Sequence, residues 1–136
     1  MKVVIDTNIL VSGLGNPRGA PAKLIDRWLH GQFDLIASNP IFAEYTKILL
    51  HHPHVPNEKA GNFLDSLITL SEFVQISENL IACKDPGDNV FLETAVVGNA
   101  EYLVTKNFKH FPVKQYQNVR IVRVSQLLSV LEKIFH

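Results

Sequence analysis

The chain has 136 residues, is 46% hydrophobic and 19% charged, and carries a formal net charge of zero. That length suits one domain, spanning residues 1–136, with a real core, and the neutral balance excludes a protein whose main work is sequence-independent phosphate binding, which needs a strongly basic surface. Its single cysteine, Cys83, excludes an internal disulfide and a thiolate zinc site.

Residues 2–5 read as a strand, apolar at the consecutive positions 3–5, the pattern of a parallel strand covered on both faces. Asp6, Thr7 and Asn8 follow at once, and apolar sequence then resumes. Residues 13–19, with Pro17, read as a loop. A helix is expected over about 20–30, where Leu24, Ile25, Trp28 and Leu29 keep helical spacing and Gly31 ends it. A second strand spans 34–37, and Ser38, Asn39 and Pro40 open a helix running to about residue 50. The loop at 51–56 carries His51, His52 and His54, and Asn57 is expected to cap a helix through about residue 70. Residues 73–76 read as extended. Asp85-Pro86-Gly87-Asp88 opens a strong helix to about residue 97, closed by Gly98-Asn99. Strands are expected at 102–104 and 119–124, before a terminal helix from Ser125 with Leu127, Leu128, Leu131 and Ile134. Strands separated by helices imply βαβ units and a mainly parallel sheet.

In such a sheet the strand ends and the starts of the following helices share one edge, where ligands collect. Asp6 follows the first strand, Glu44 lies about one turn into the helix after the second, and Asp88 sits in the first turn of the helix near residue 85. Asp88 falls within the apolar stripe of Phe91, Leu92, Ala95 and Val96, and Glu44 shares a side with Ile41 and Ile48. Carboxylates gathered on buried faces repel one another and lose hydration, and a divalent cation relieves both costs. An all-oxygen site suits magnesium or manganese rather than zinc. Each acid has an ordinary alternative: Asp6 as a cap, Asp88 as the far member of a capping box with Asp85, Glu44 as an ion-pair partner of Lys47 or Lys23. All three alternatives together need three coincidences at one edge. Asp85 reads as the helix cap, and Glu93, about 140° round the helix from Asp88, as a flank or surface residue.

The histidines at 51, 52 and 54 lack a neighbouring Cys or Asp and read as plain surface rather than a rival metal site. No phosphate-binding glycine motif is present, and Ser12, Ser38 and Ser66 lack the surroundings of a nucleophile. From residue 101 onward Lys106, Lys109, Lys114, Arg120, Arg123 and Lys133 outweigh Glu101 and Glu132, so the last quarter is basic. No apolar run approaches the roughly 18 residues of a membrane span. The chain opens on a strand rather than a secretory leader, so a cytoplasmic setting is expected.

Asp6-Thr7-Asn8, then Glu44 in a helix, then Asp85-Pro86-Gly87-Asp88-Asn89 with Phe91-Leu92-Glu93, then Glu101-Tyr102-Leu103-Val104-Thr105 closely resemble the PIN domain family. The resemblance is strongest to its toxin branch in bacterial toxin–antitoxin modules, and it covers essentially the whole chain. It implies a three-layer α/β/α sandwich with a mainly parallel sheet of four or five strands. It further implies a magnesium- or manganese-dependent ribonuclease, an antitoxin protein as partner, and a homodimer or higher oligomer. Asp6, Glu44 and Asp88 take the places of the family's metal-holding acids. Thr7, Asn8 and Thr105 would position waters or phosphate, and Lys106 and Lys109 would contact the RNA backbone. The chain departs from the pattern after Val104-Thr105, where Asn107 stands in place of an Asp and His110 where some relatives place one. A fourth carboxylate is therefore missing, with Asn107 as its uncharged substitute among the catalytic candidates. Two other readings stand beside the ribonuclease: a weak or inactive RNA- or protein-binding module of the same fold, and a metal-dependent phosphatase.

Overall fold

The computed structural model describes residues 1–111 and 113–135. Its elements run β1 (Lys2–Ile5), α1 (Thr7–Gly15), α2 (Ala20–Leu29), β2 (Asp34–Ala37), α3 (Asn39–His51), α4 (Asn57–Leu70) and β3 (Glu72–Phe73). Then follow α5 (Pro86–Val97), β4 (Tyr102–Val104), a 3₁₀ turn at Phe108–His110, β5 (Gln115–Tyr116), β6 (Val119–Val122) and α6 (Val124–Phe135).

The strands form one sheet in the order β3-β2-β1-β4-β6-β5. Every pairing is parallel except β5 with β6. In β1, Val3, Val4 and Ile5 are all buried, as are Leu35, Ile36 and Ala37 of β2 and Leu103 and Val104 of β4. Burial at consecutive positions means both faces of the central strands are covered, which is the sandwich expected from the apolar runs. Helix α5 packs on β1, β2 and β4, α4 on β2 and α6 on β4. At the end of α5, a Cβ on Gly98 would lie 2.5 Å from Ile36 Cγ2, so only glycine lets the helix sit this close to β2. Gly31, with φ +76°, turns the chain out of α2 in a conformation other residues avoid.

Four expectations need correction. Residues 7–15 form helix α1 where sequence pattern left residues 13–19 as a loop. Gly13 is not a breaker there but a contact point: a Cβ on it would meet Ile25 Cδ1 of α2 at 2.5 Å. The sheet has six strands, because the two-residue β5 adds an antiparallel edge too short to show any periodicity. The third extended segment lies at Glu72–Phe73 rather than 73–76. Asn57 does not cap α4, whose N-cap is Pro56 with no side-chain hydrogen bond.

Candidate active site

Each of the three acids reaches the carboxyl edge of the sheet by a different route. Asp6 follows β1, and its backbone N–H bonds the Val104 carbonyl at 2.9 Å, tying the ends of β1 and β4 together. It stands at the N-cap of α1 but makes no side-chain cap bond there. Instead its Oδ2 accepts a 2.7 Å hydrogen bond from the Thr105 hydroxyl at the end of β4. Glu44 comes from α3, which Ser38 caps by accepting from the Ile41 N–H. Its Oε2 accepts from the Thr7 hydroxyl, and no ion pair joins it to Lys47 or Lys23 among the described residues. Asp88 sits in the first turn of α5. Asp85 caps that helix by accepting from Gly87 N–H at 2.9 Å, which leaves the Asp88 side chain free of capping. A Cβ on Gly87 would stand 3.9 Å from Glu44 Oε1, so the α3 carboxylate lies against the start of α5.

The electrostatics record the same convergence. Burial raises the Asp6 carboxyl above its ordinary pKa, against the hydrogen bond from Thr105 and the nearby His110. Burial also raises Asp88; His110 opposes that shift, while Asp6, Asp85 and Glu44 add to it by like-charge repulsion. Beneath them Tyr45 is fully buried, its hydroxyl bonded to the Ile5 carbonyl. Burial first, and then Asp6 and Glu44, push its pKa well up. The Cys83 thiol is pushed up to about 11 by burial, with Asp88 and Asp85 adding to it. Among the described residues no lysine or arginine pairs with Asp6, Glu44 or Asp88. Two buried acceptors, Asn8 Oδ1 and Asp88 Oδ2, have no hydrogen-bond donor.

The remaining candidates divide. Thr7 and Thr105 are buried and hold the carboxylates of Glu44 and Asp6. Asn8 stays half-buried in the first turn of α1. Lys106 and Lys109 are exposed, with Lys106 Nζ donating to Ser12 Oγ of α1. Asn107 is exposed; its backbone N–H donates to Thr105 Oγ1 at 3.0 Å, its carbonyl accepts from His110 N–H, and its side chain makes no hydrogen bond among the described residues. The group set against Asp88 is His110, whose Nδ1 lies 3.2 Å from Asp88 Oδ2. Sequence pattern marked residue 110 only as a place where an acid was absent.

Glu93 also needs correction. It is 7% exposed and receives hydrogen bonds from Ser77 N–H and Oγ–H, Glu78 N–H and Leu80 N–H. Neighbouring Asn89 accepts from the N–H groups of Ala82 and Cys83. Together they fasten the segment before α5 to that helix. The loop histidines bind locally: His51 Nδ1 is 2.8 Å from the Lys47 carbonyl, and His52 Nδ1 accepts from His54 N–H.

Among the described residues no three His, Cys, Asp or Glu side chains stand as a ready-made metal cage. The donor set nevertheless fits a hard divalent ion. Magnesium keeps several of its waters and takes one or two carboxylates, so it needs no closed protein cage. Uncompensated carboxylates and a donorless carboxylate oxygen at one edge are what such an ion neutralises. Open concavities of about 680 and 700 Å³ lie elsewhere, one lined by α2 and α6, the other beside β3, and neither includes these acids.

A parallel sheet with acids gathered at its carboxyl edge defines a class of fold, and comparison with known proteins places the chain within it. Residues 2–109 match the family model described as PIN domain. The chain is 30% identical over 104 residues to an uncharacterized protein of Methanocaldococcus jannaschii, a match covering 74% of this chain and 67% of that protein. Its fold is similar to a chain in the crystal structure of VapBC2 from Rickettsia felis bound to a DNA fragment from their promoter. The TM-score there is 0.57 at 19% identity, over 90% of this chain and 98% of that one. The chain belongs to the PIN domain family, whose members are generally nucleases. No helix among the described residues is long and apolar enough to cross a membrane.

Proposed function

We propose that this chain, as one PIN-like unit over residues 1–136, is a magnesium- or manganese-dependent endoribonuclease. The observation that carries the reading is that Asp6, Glu44 and Asp88, supplied by three separate elements, meet at one sheet edge without a lysine or arginine partner among the described residues. Folding alone gives no reason to keep three such charges together, because each costs desolvation and repulsion.

When bound, the metal would lower the pKa of a water and offset charge on the scissile phosphate. Thr105 and Thr7 hold the Asp6 and Glu44 carboxylates in place through their hydroxyls. In this reading half-buried Asn8 orients water or phosphate, Thr105 acts through the Asp6 carboxylate it holds, and exposed Lys106 and Lys109 contact the RNA backbone. Asn107 contributes at most an uncharged donor or acceptor. The similarity to a VapBC2 chain supports a toxin role in the cytoplasm, with an antitoxin protein as partner. A homodimer or higher oligomer accompanies that role.

The test is cleavage of a single-stranded RNA oligomer with manganese, stopped by EDTA. Asp88→Asn should lose at least about tenfold in rate, roughly 1.4 kcal/mol of transition-state stabilisation, while still binding the RNA. A variant that cleaves as fast as wild type would sink this assignment. The reading of a weak or inactive binding module draws on the missing carboxylate at Asn107, and it predicts RNA retention with no cleavage by wild type. A phosphatase would release more product from a chromogenic phosphate ester than from RNA.

A further inference from the structure

The proposed ribonuclease reading leaves the ring of His110 without a role. It comes from the 3₁₀ turn after β4, closed by His110 N–H to the Asn107 carbonyl at 3.0 Å and Phe111 N–H to the Phe108 carbonyl at 3.1 Å. The turn is anchored on both sides. Phe111 is buried, and the Phe108 ring lies under the Arg123 guanidinium, 4.8 Å from it. The backbone therefore delivers the imidazole to Asp88 rather than leaving it to wander.

His110 Nδ1 and Asp88 Oδ2 are 3.2 Å apart, yet that oxygen, buried as an atom, accepts no hydrogen bond. A separation of 3.2 Å serves an ion pair and serves equally two ligands of one ion, and the oxygen that accepts no hydrogen bond favours the second arrangement. Donors about 2.1 Å from a metal and at right angles to each other stand about 3.0 Å apart. The imidazole is half exposed, at 50%, while the Asp88 side chain is 13% exposed, so an ion arriving from solvent meets the ring first. His110 also lies close enough to Asp6 to act on its charge.

We propose that His110 is a nitrogen ligand of the metal, standing in for the missing fourth carboxylate, so that the site favours borderline first-row ions over magnesium. The inference rests on the metal-dependent reading of Asp6, Glu44 and Asp88. Its chemical basis is that imidazole is a good ligand for transition ions and a poor one for magnesium, which demands oxygen. Exchanging a carboxylate for an imidazole also removes one negative charge, which weakens the pull on a hard ion further.

Isothermal titration of the intact chain with magnesium, manganese and cobalt, without RNA, reads the selectivity directly. Wild type should bind cobalt and manganese ahead of magnesium. His110→Ala should lose about tenfold in cobalt affinity while its magnesium affinity stays within about twofold, and His110→Asp should raise magnesium affinity. Pulsed EPR of the manganese-loaded protein should show nitrogen coupling in wild type and none in His110→Ala or His110→Gln. The position is half exposed, so these variants should fold, and their circular dichroism checks it. If His110 is only a cation competing for Asp88, His110→Ala will tighten all three ions alike, and the inference falls. Unchanged selectivity with no nitrogen coupling overturns it while leaving the acid site standing. Failure of wild type to bind any of the ions overturns the metal reading itself, and this inference with it.

Discussion

Replacing Glu93 tests whether that acid belongs to the chemistry or to the scaffold. Its carboxylate takes hydrogen bonds of 2.8 and 2.9 Å from Ser77 and longer ones of 3.2 and 3.3 Å from Glu78 and Leu80. A hydrogen bond to a charged group contributes about 1.5–3 kcal/mol. The two short bonds alone would give about 3–6 kcal/mol, but the donors lie on a segment that water reaches in part. Glu93→Ala should therefore cost about 3 kcal/mol, and at about 3–5 °C per kcal/mol for a chain this long the melting point should fall by roughly 10 °C. The loss should depend on pH. Burial pushes the Glu93 carboxyl up, but the Ser77 hydroxyl and the N–H groups of Leu80, Ser77 and Glu78 more than offset it, and its pKa ends lowered. A lowered acid stabilises the fold above its unfolded pKa of about 4.3, and the contribution vanishes as pH falls through the folded value. Urea unfolding followed by circular dichroism should show a gap between wild type and Glu93→Ala that is full at pH 7 and narrows below about pH 4. Manganese affinity should not change. A cost under about 1 kcal/mol, or a gap that persists unchanged in acid, would refute the scaffold role.

Asp6→Asn keeps an acceptor for Thr105 and removes a raised carboxylate. Because a raised acid opposes folding once ionised, the metal-free variant should melt above wild type at pH 7, with the advantage gone below about pH 4, and its stabilisation by manganese should largely disappear. A manganese-induced shift equal to that of wild type would rule out Asp6 as a ligand. Asn107→Asp, at an exposed position, should move stability by no more than about 0.5 kcal/mol with or without metal; a larger shift that depends on metal, seen in thermal melts, would return the fourth position to Asn107.

The acids were legible because strand ends and helix starts are readable from apolar runs and caps, and a parallel sheet fixes where they meet. Asp6, Glu44 and Asp88 needed only that rule. Helix α1 was hidden because glycine has two meanings, and Gly13 serves close packing on Ile25 rather than a turn. Glu93 was misplaced for a different reason. The one-sided helix assumed for α5 does not exist, since Asn89, Phe91, Leu92, Glu93, Thr94 and Ala95 are all buried around it. An angle measured from the apolar stripe therefore could not say which residue met solvent. His110 was beyond reach because its contact with Asp88 depends on a short 3₁₀ turn, which leaves no periodic trace.

The bond from Thr105 to Asp6 spans 99 positions of the chain. In the sheet, β1 lies between β2 and β4, so its second neighbour, Tyr102 beside Val3, comes from much later in the sequence. A chain emerging from the ribosome thus presents Asp6 and Glu44 long before Thr105 and β4 exist to order them. At about 5–20 residues per second, the interval amounts to roughly 5–20 s per molecule. Contacts this distant also close late, after their loop entropy has been met. An edge whose Asp6 is held by a hydroxyl 99 positions further along the chain stays unassembled for as long as the sequence between the two is still being made.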